Sequence, residues 1–269
     1  MTRFSIITVV RNDAVGVVKT LQSVFAQTHA NYEVIVQDGA STDGTSAILY
    51  GFGDWIDSLV VERDAGIYDA MNRALARASG DWVLFLNAAD YFVNDLVLQT
   101  VAAALRDDDD ILVGQPIRDE DGKVHQYQPR DRFWVGSIND HQASFVRREL
   151  AQRLAFNPRF KVAGDLDFFL RARDLGARDR FVPIPIVRKP FGVGASSGFM
   201  DRLRERGPLL LGKFEGQYPV RETLREQLAT YVRTEFAVDP AMIHDWSYET
   251  LAAAVTRWNE RLEKQPGTP

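Results

Sequence analysis

The chain has 269 residues, 45% of them hydrophobic and 26% charged, which is ordinary for a globular protein and enough for one large domain or a domain with an appendage. A formal net charge of −5 leaves no general basic surface and excludes nucleic acid as the expected partner. With no cysteine there can be no disulfide, thiolate nucleophile or cysteine metal site, and a reducing cytoplasm is the compartment that fits.

The opening MTRFSIITVVRND has an apolar run too short for a signal peptide and no small-residue cleavage site. No segment approaches the roughly 20 apolar residues that span a bilayer, so membrane contact is expected to be peripheral. Phe4 to Val10 is a β-branched run that reads as a buried strand with a polar exit, Arg11-Asn12-Asp13. Val17, Val18, Leu21, Val24 and Phe25 then fall at helical spacing. Residues 32–37 predict a second strand, followed by Asp38-Gly39-Ala40-Ser41-Thr42-Asp43-Gly44-Thr45, which is dense in turn and capping residues. A short helix through Ile48 and Leu49 and a strand at 59–61 follow. Strand, helix, strand, helix, strand in this rhythm predicts parallel βαβ units.

In the stretch 63–90, Ile67, Met71, Ala74, Leu75 and Ala78 share one helix face, and Gly80-Asp81 stops the helix. Trp82 to Leu86 is apolar without alternation, as expected of a strand covered on both faces. Asn87-Ala88-Ala89-Asp90 stands just past its carboxyl end, where open α/β sheets bind their ligands. A helix over 96–105 and a strand at 111–114 come next. The four aspartates 107–110 between them read as a solvated turn rather than a metal site. Residues 115–135 suggest an antiparallel excursion with Asp121-Gly122 as its turn. Strand character resumes over 140–146, and 147–154 reads as helix. Lys161 to Arg171 places Asp165 and Asp167 at the start of another helix. Two residues apart, they cannot share a face, so at most one points squarely into a common site. A strand at 181–187 precedes a glycine-rich loop at 191–198. From about 199 the composition shifts to arginine, leucine and glutamate, predicting helices at 220–236 and 246–263.

Taken in order, SIITVVRND, VIVQDGASTDGT, ERDAGIYDAMNRALARASGDWVLFLNAAD, HQASFVRR and AGDLDFFLR closely resemble the family 2 glycosyltransferases of the GT-A fold. The nearer likeness is to bacterial members that build polysaccharides and glycolipids, whose GIYDAMN stretch stands here at Gly66 to Asn72. The resemblance covers residues 4 to about 198. It implies an α/β fold with a mixed, mostly parallel, Rossmann-like sheet flanked by helices over 1–198, and a C-terminal helical extension over 199–269. The implied activity is inverting transfer of a sugar from a nucleotide-diphosphate donor to a hydroxyl of a saccharide or lipid-linked saccharide.

The resemblance assigns Thr8, Val9 and Arg11 to the nucleotide pocket, Asp38 to the base, and Arg63 and Asp64 to the base and donor sugar. Asp38 as a cap on its own turn and Arg63 as a surface ion pair remain alternatives. The leaving diphosphate accumulates charge, so Mg²⁺ or Mn²⁺ is the implied cofactor. The family's acidic motif is thinned here to Asn87-Ala88-Ala89-Asp90, which leaves Asp90 as the metal ligand and His141 as the candidate second one. A histidine bonded to loop backbone is the other reading of His141. Asp165 matches the base that takes the acceptor hydroxyl's proton, and as an N-cap it would be kept ionised by the helix. Asn87, Asp167, Ser196 and Ser197 are expected behind the site or on its acceptor side.

Two partner expectations are a contact of Arg202, Arg204, Arg206 and Lys213 with the inner face of an anionic membrane and a homo-oligomer through the C-terminal helices. The first stands beside the plainer reading of an ordinary helix face, the second beside packing of the helices on the domain. Competing classes fit less well. Gly194 to Gly198 matches G-x-S-x-G but lies off its strand, and no G-x-G-x-x-G follows the first strand. A nucleotidyltransferase would open with a glycine- and arginine-rich phosphate loop, which Thr8 to Asp13 is not. The thinned metal motif keeps one further alternative, a non-catalytic nucleotide-sugar-binding protein.

Overall fold

Four strands with near-continuous apolar sequence form the first half of the sheet: β1 (Phe4–Val10), β2 (Tyr32–Asp38), β3 (Ser58–Val61) and β4 (Trp82–Phe85). They were traced in a computed structural model that describes residues 2–118 and 139–190. The linking helices are α1 (Ala14–Phe25), α2 (Thr45–Gly51) and α3 (Ile67–Leu75). β1 pairs parallel with both β2 and β4, and β2 with β3, so all four chains leave the sheet at the same end. The Asp121-Gly122 turn, the 191–198 loop with Ser196 and Ser197, and everything expected from 199 onward lie outside the described residues.

The second half comprises β5 (Tyr91–Phe92), α4 (Val97–Ala104), β6 (Ile111–Arg118), β7 (Ser144–Arg147), α5 (Arg148–Leu154), α6 (Gly164–Asp174) and β8 (Asp179–Lys189). The eight-stranded order is β3-β2-β1-β4-β7-β6-β8-β5. β7 runs antiparallel to β4 and β6, β5 antiparallel to β8, and β8 parallel to β6. The sheet is therefore mixed, as expected, with its parallel half carrying the strand exits.

Alternate residues of β1 serve different cores. Phe4 and Ile6 pack with Val17, Leu21 and Val24 of α1 and Leu98 and Val101 of α4. Ile7 and Val9 pack on the other face with Tyr68, Met71 and Ala74 of α3 and Phe168 and Phe169 of α6. Burial on both faces is why the strands read as apolar runs without alternation.

Four expectations shift. The helix over 67–78 ends at Leu75, although Ala78 stays buried. The strand expected from 140 opens as a 3₁₀ turn, His141–Ala143, and becomes β7 only at Ser144. The strand at 111–114 runs on to Arg118. The aspartate run is not a solvated turn throughout. Asp109 is buried and pairs with Arg180 at 2.5 Å, while Arg147 donates to the carbonyls of Asp107 and Asp109. The Arg180 guanidinium holds the Asp109 carboxyl below its ordinary range.

Candidate active site

The parallel strands end side by side, and the chain turns sharply at three of those exits. Asn12, Ala40 and Ala89, following β1, β2 and β4, are non-glycine residues with φ of 52°, 58° and 73°. Left-handed conformations of this kind cost on the order of 1–3 kcal/mol each and cluster at functional loops. The first two turns are cross-tied: Ser41 Oγ accepts from the Asn12 N–H at 2.8 Å, and Asn12 Oδ1 accepts from the Thr42 N–H at 2.8 Å. The third is held from α1, where Thr20 Oγ1 donates to the Asp90 carbonyl at 2.7 Å.

On the nucleotide side, Arg11 is exposed while Asp38 is fully buried. Asp38 Oδ1 accepts from the Ser41 N–H at 3.0 Å and from its hydroxyl, and Oδ2 accepts from the Ser46 hydroxyl. The turn-capping reading of Asp38 is therefore realised, and any base contact would share an oxygen already engaged. Gly39 is where Arg11 and Asp64 meet. A Cβ added there would stand 2.5 Å from Asp64 Oδ2 and 3.3 Å from Arg11 Cδ. Asp64 Oδ1 accepts from the Gly66 N–H at 3.0 Å, fixing the loop into α3. Arg63 is exposed and makes no side-chain ion pair among the described residues, so its surface-pair alternative is not seen. Thr8 and Val9, expected to line the nucleotide pocket, have buried side chains. The Thr8 hydroxyl is fully buried and donates to the Leu86 carbonyl at 2.9 Å, and Val9 packs in the core.

At the β4 exit Asp90 is 7% exposed, and burial pushes its carboxyl up to about 6 against the opposing pull of Lys189 and His141. Gln142 hydrogen-bonds it as well. Among the described residues, the His141 ring makes no hydrogen bond to loop backbone. Its Nε2 lies 3.2 Å from Asn87 Nδ2, and its Nδ1 lies 3.6 Å from Asp165 Oδ2. The amide nitrogen faces Nε2, while Nδ1 is a buried nitrogen with no hydrogen-bond partner and points at the carboxylate from beyond hydrogen-bond reach. Asn87, His141 and Asp165 thus form one line from the end of β4 to the start of α6.

Asp165 does not cap α6 from outside. The helix begins at Gly164, so Asp165 sits in the first turn, where Oδ1 accepts from the Leu166 N–H at 2.7 Å. The helix dipole favours its charged form at that position. Asp167 points elsewhere, as the two-residue spacing requires. It pairs with Arg171 Nε at 2.8 Å, and Arg171 in turn holds the carbonyls of Leu154 and Ala155.

Two groups escaped the sequence reading. Lys189, at the end of β8, pairs with Asp140 at 2.8 Å. Burial opposes the charge on both, but their mutual attraction prevails, holding Asp140 low and raising Lys189. No motif marks Lys189. Gln142 stood inside HQASFVRR, next to the histidine that drew attention.

Among the described residues, no group of three or more His, Asp or Glu forms a ready metal cage. The donors nonetheless suit a divalent cation. Asp90 is a buried carboxylate, and Asn87 Oδ1 and Gln142 Oε1 are buried oxygens with no hydrogen-bond partner. Carboxylate and amide oxygens are what Mg²⁺ and Mn²⁺ take, with substrate phosphates completing the shell.

Comparison with known proteins places this geometry in context. The description Glycosyl transferase family 2 matches residues 5–170. A PGL/p-HBAD biosynthesis glycosyltransferase of Mycobacterium tuberculosis is 35% identical over 175 residues, covering 62% of this chain and 68% of that protein. S. aureus TarS 1-349 in complex with UDP-GlcNAc superposes with a TM-score of 0.65 at 21% identity, over 89% of this chain and 74% of that one. In a longer TarS structure the chain spans 44% of the length. The mannosyltransferase PcManGT from Pyrobaculum calidifontis, in complex with GDP-Man and Mn²⁺, gives 0.64 at 20% identity, over 100% of this chain and 76% of that one. At such identities the two structures speak to the fold alone.

Proposed function

Because the chain belongs to glycosyl transferase family 2, and its fold is that of the family's GT-A enzymes, we propose that it moves a sugar from a nucleotide-diphosphate donor to a hydroxyl of a saccharide or glycolipid acceptor, with inversion at the anomeric carbon, in the building of bacterial surface glycolipid or polysaccharide. The observation that carries the reading is the line Asn87–His141–Asp165, which sets a carboxylate at a helix start beside the exit of β4. The glycolipid context is supported by the mycobacterial relative, and the choice of donor class by the UDP-GlcNAc and GDP-Man complexes.

In this scheme Arg11, Gly39 and Asp64 receive the nucleoside, with Asp38 holding their turn in shape. Asp90, helped by the oxygens of Asn87 and Gln142, would hold a divalent cation, which would offset charge on the departing diphosphate. Asp165 takes the proton of the acceptor hydroxyl as it attacks the face of the sugar opposite the diphosphate. A single displacement of that kind inverts the anomeric centre. His141 stands between Asn87 and Asp165, its Nδ1 3.6 Å from the Asp165 carboxylate. No described helix is long and apolar enough to cross a membrane.

The test is a panel of UDP- and GDP-sugars with Mn²⁺ or Mg²⁺, read by calorimetric binding and by release of nucleoside diphosphate. One donor is expected to bind in a metal-dependent way and to turn over, slowly to water and faster once an acceptor is supplied. Binding with no turnover of any donor would leave a binding protein and refute the enzyme.

A further inference from the structure

The GIYDAMN helix is the most recognisable stretch of the sequence, and two of its residues are tied to a distant segment. Tyr68 and Asn72 are turned toward the loop 155–163 that leads into α6. Asn72 grips the backbone of Phe156 at both ends, its Nδ2 donating to the carbonyl at 2.8 Å and its Oδ1 accepting from the N–H at 2.7 Å. The Tyr68 hydroxyl donates to the Val162 carbonyl at 2.9 Å. Its ring covers Gly164, where an added Cβ would come within 2.7 Å of ring carbons. Phe156 is stacked between Tyr68, at 5.5 Å, and Phe168, at 4.7 Å, with Phe85 edge-on at 5.1 Å.

Both ends of one loop are thus tied to one helix, and the loop delivers Asp165 one residue past the glycine under the Tyr68 ring. The loop also opens on Ala155, whose φ of 46° is a conformation that side-chain-bearing residues rarely hold without outside restraint. We propose that Tyr68 and Asn72 are positioning residues for the base. They fix the register of the 155–163 loop, and through Gly164 the place of the Asp165 carboxylate, without touching the donor. This rests on the assignment of Asp165 as base.

The experiment uses the full chain and four variants, Asn72→Ala, Tyr68→Phe, Gly164→Ala and Asp165→Asn. Amide exchange by mass spectrometry, which needs no substrate, should rise over 155–166 in Asn72→Ala and stay unchanged over 4–38. With the donor found by the panel, kcat in Asn72→Ala and Gly164→Ala should fall on the order of 10- to 100-fold, the cost of roughly an ångström's misplacement of a reacting group. KM for the donor and the Kd of UDP should hold. Tyr68→Phe keeps the ring and loses one hydrogen bond, so its loss should be smaller. In the Asp165→Asn background, Asn72→Ala should have no further effect on rate.

A purely structural role would instead lower the binding stoichiometry for UDP and leave kcat per competent site unchanged; that result overturns the proposal. Unchanged exchange over 155–166 does so as well. If Asp165→Asn itself transfers at the parent rate, the base assignment fails instead, and the exchange data still report whether the clamp exists.

Discussion

Replacing Asp165 with asparagine is the sharpest test of the site, because the structure lets the catalytic and structural costs be separated. Asparagine keeps the outline of the side chain, and its Oδ1 can still accept from the Leu166 N–H that Asp165 holds at 2.7 Å. What is lost in folding is the attraction between a carboxylate and the helix terminus, about 0.3–1 kcal/mol. What is lost in the reaction is a general base, a contribution of about 10²- to 10⁴-fold. At about 1.4 kcal/mol per decade that is roughly 3–5 kcal/mol, several times the folding cost. The assay is initial-rate release of nucleoside diphosphate with acceptor present, alongside calorimetric titration with UDP. Transfer should fall by at least a hundredfold while the Kd of UDP changes by less than about twofold. A variant that transfers within about threefold of the parent would refute the assignment, and one that also loses UDP binding would place Asp165 in donor recognition.

Asp90→Ala should weaken Mn²⁺-dependent UDP binding by about tenfold or more, since even groups one layer behind a metal cost that much; equal UDP affinity with and without Mn²⁺ in the parent would defeat the idea. Gly39→Ala forces a methyl group against Asp64 and Arg11 and should raise the Kd of UDP while the thermal midpoint holds; unchanged UDP affinity would remove Arg11 and Asp64 from the nucleotide pocket. Glu33 is a structural control. Burial works against its charge, but hydrogen bonds from Ser5, Ser79 and Gly80 prevail and lower its pKa from 4.5. Its contribution is therefore present above pH 4.5 and lost as the pH falls through the lower folded value. Glu33→Gln should cost about 1.5–3 kcal/mol in urea unfolding at pH 7, a gap that narrows below pH 4.5; a gap independent of pH would contradict the sign.

Much of the fold was legible because each strand of the parallel half is apolar on both faces and each linking helix carries a stripe. The exits were legible for the same reason, since strand ends declare themselves by polar turns such as Arg11-Asn12-Asp13 and Asn87 to Asp90. Two-residue β5 was not, being too short to show a period. Within Asp107 to Asp110, the burial of Asp109 was missed because a run of like charges says nothing of its partners. The arginines that bury Asp109, Arg147 and Arg180, lie on β7 and β8, brought beside it only by the strand order.

The same limit governs the site. The motifs named the residues proposed for the chemistry, because sugar transfer of that kind calls for carboxylates, and these stand at a strand end and a helix start. They could not say which of these touch, since contact depends on β7 returning antiparallel beside β4. That return carries His141 to the end of β4, between Asn87 and the first turn of α6. Neither the 3.2 Å approach of His141 Nε2 to Asn87 Nδ2 nor the 3.6 Å approach of its Nδ1 to Asp165 Oδ2 is visible in a motif, because spacing within a motif fixes neighbours along the chain and not across strands.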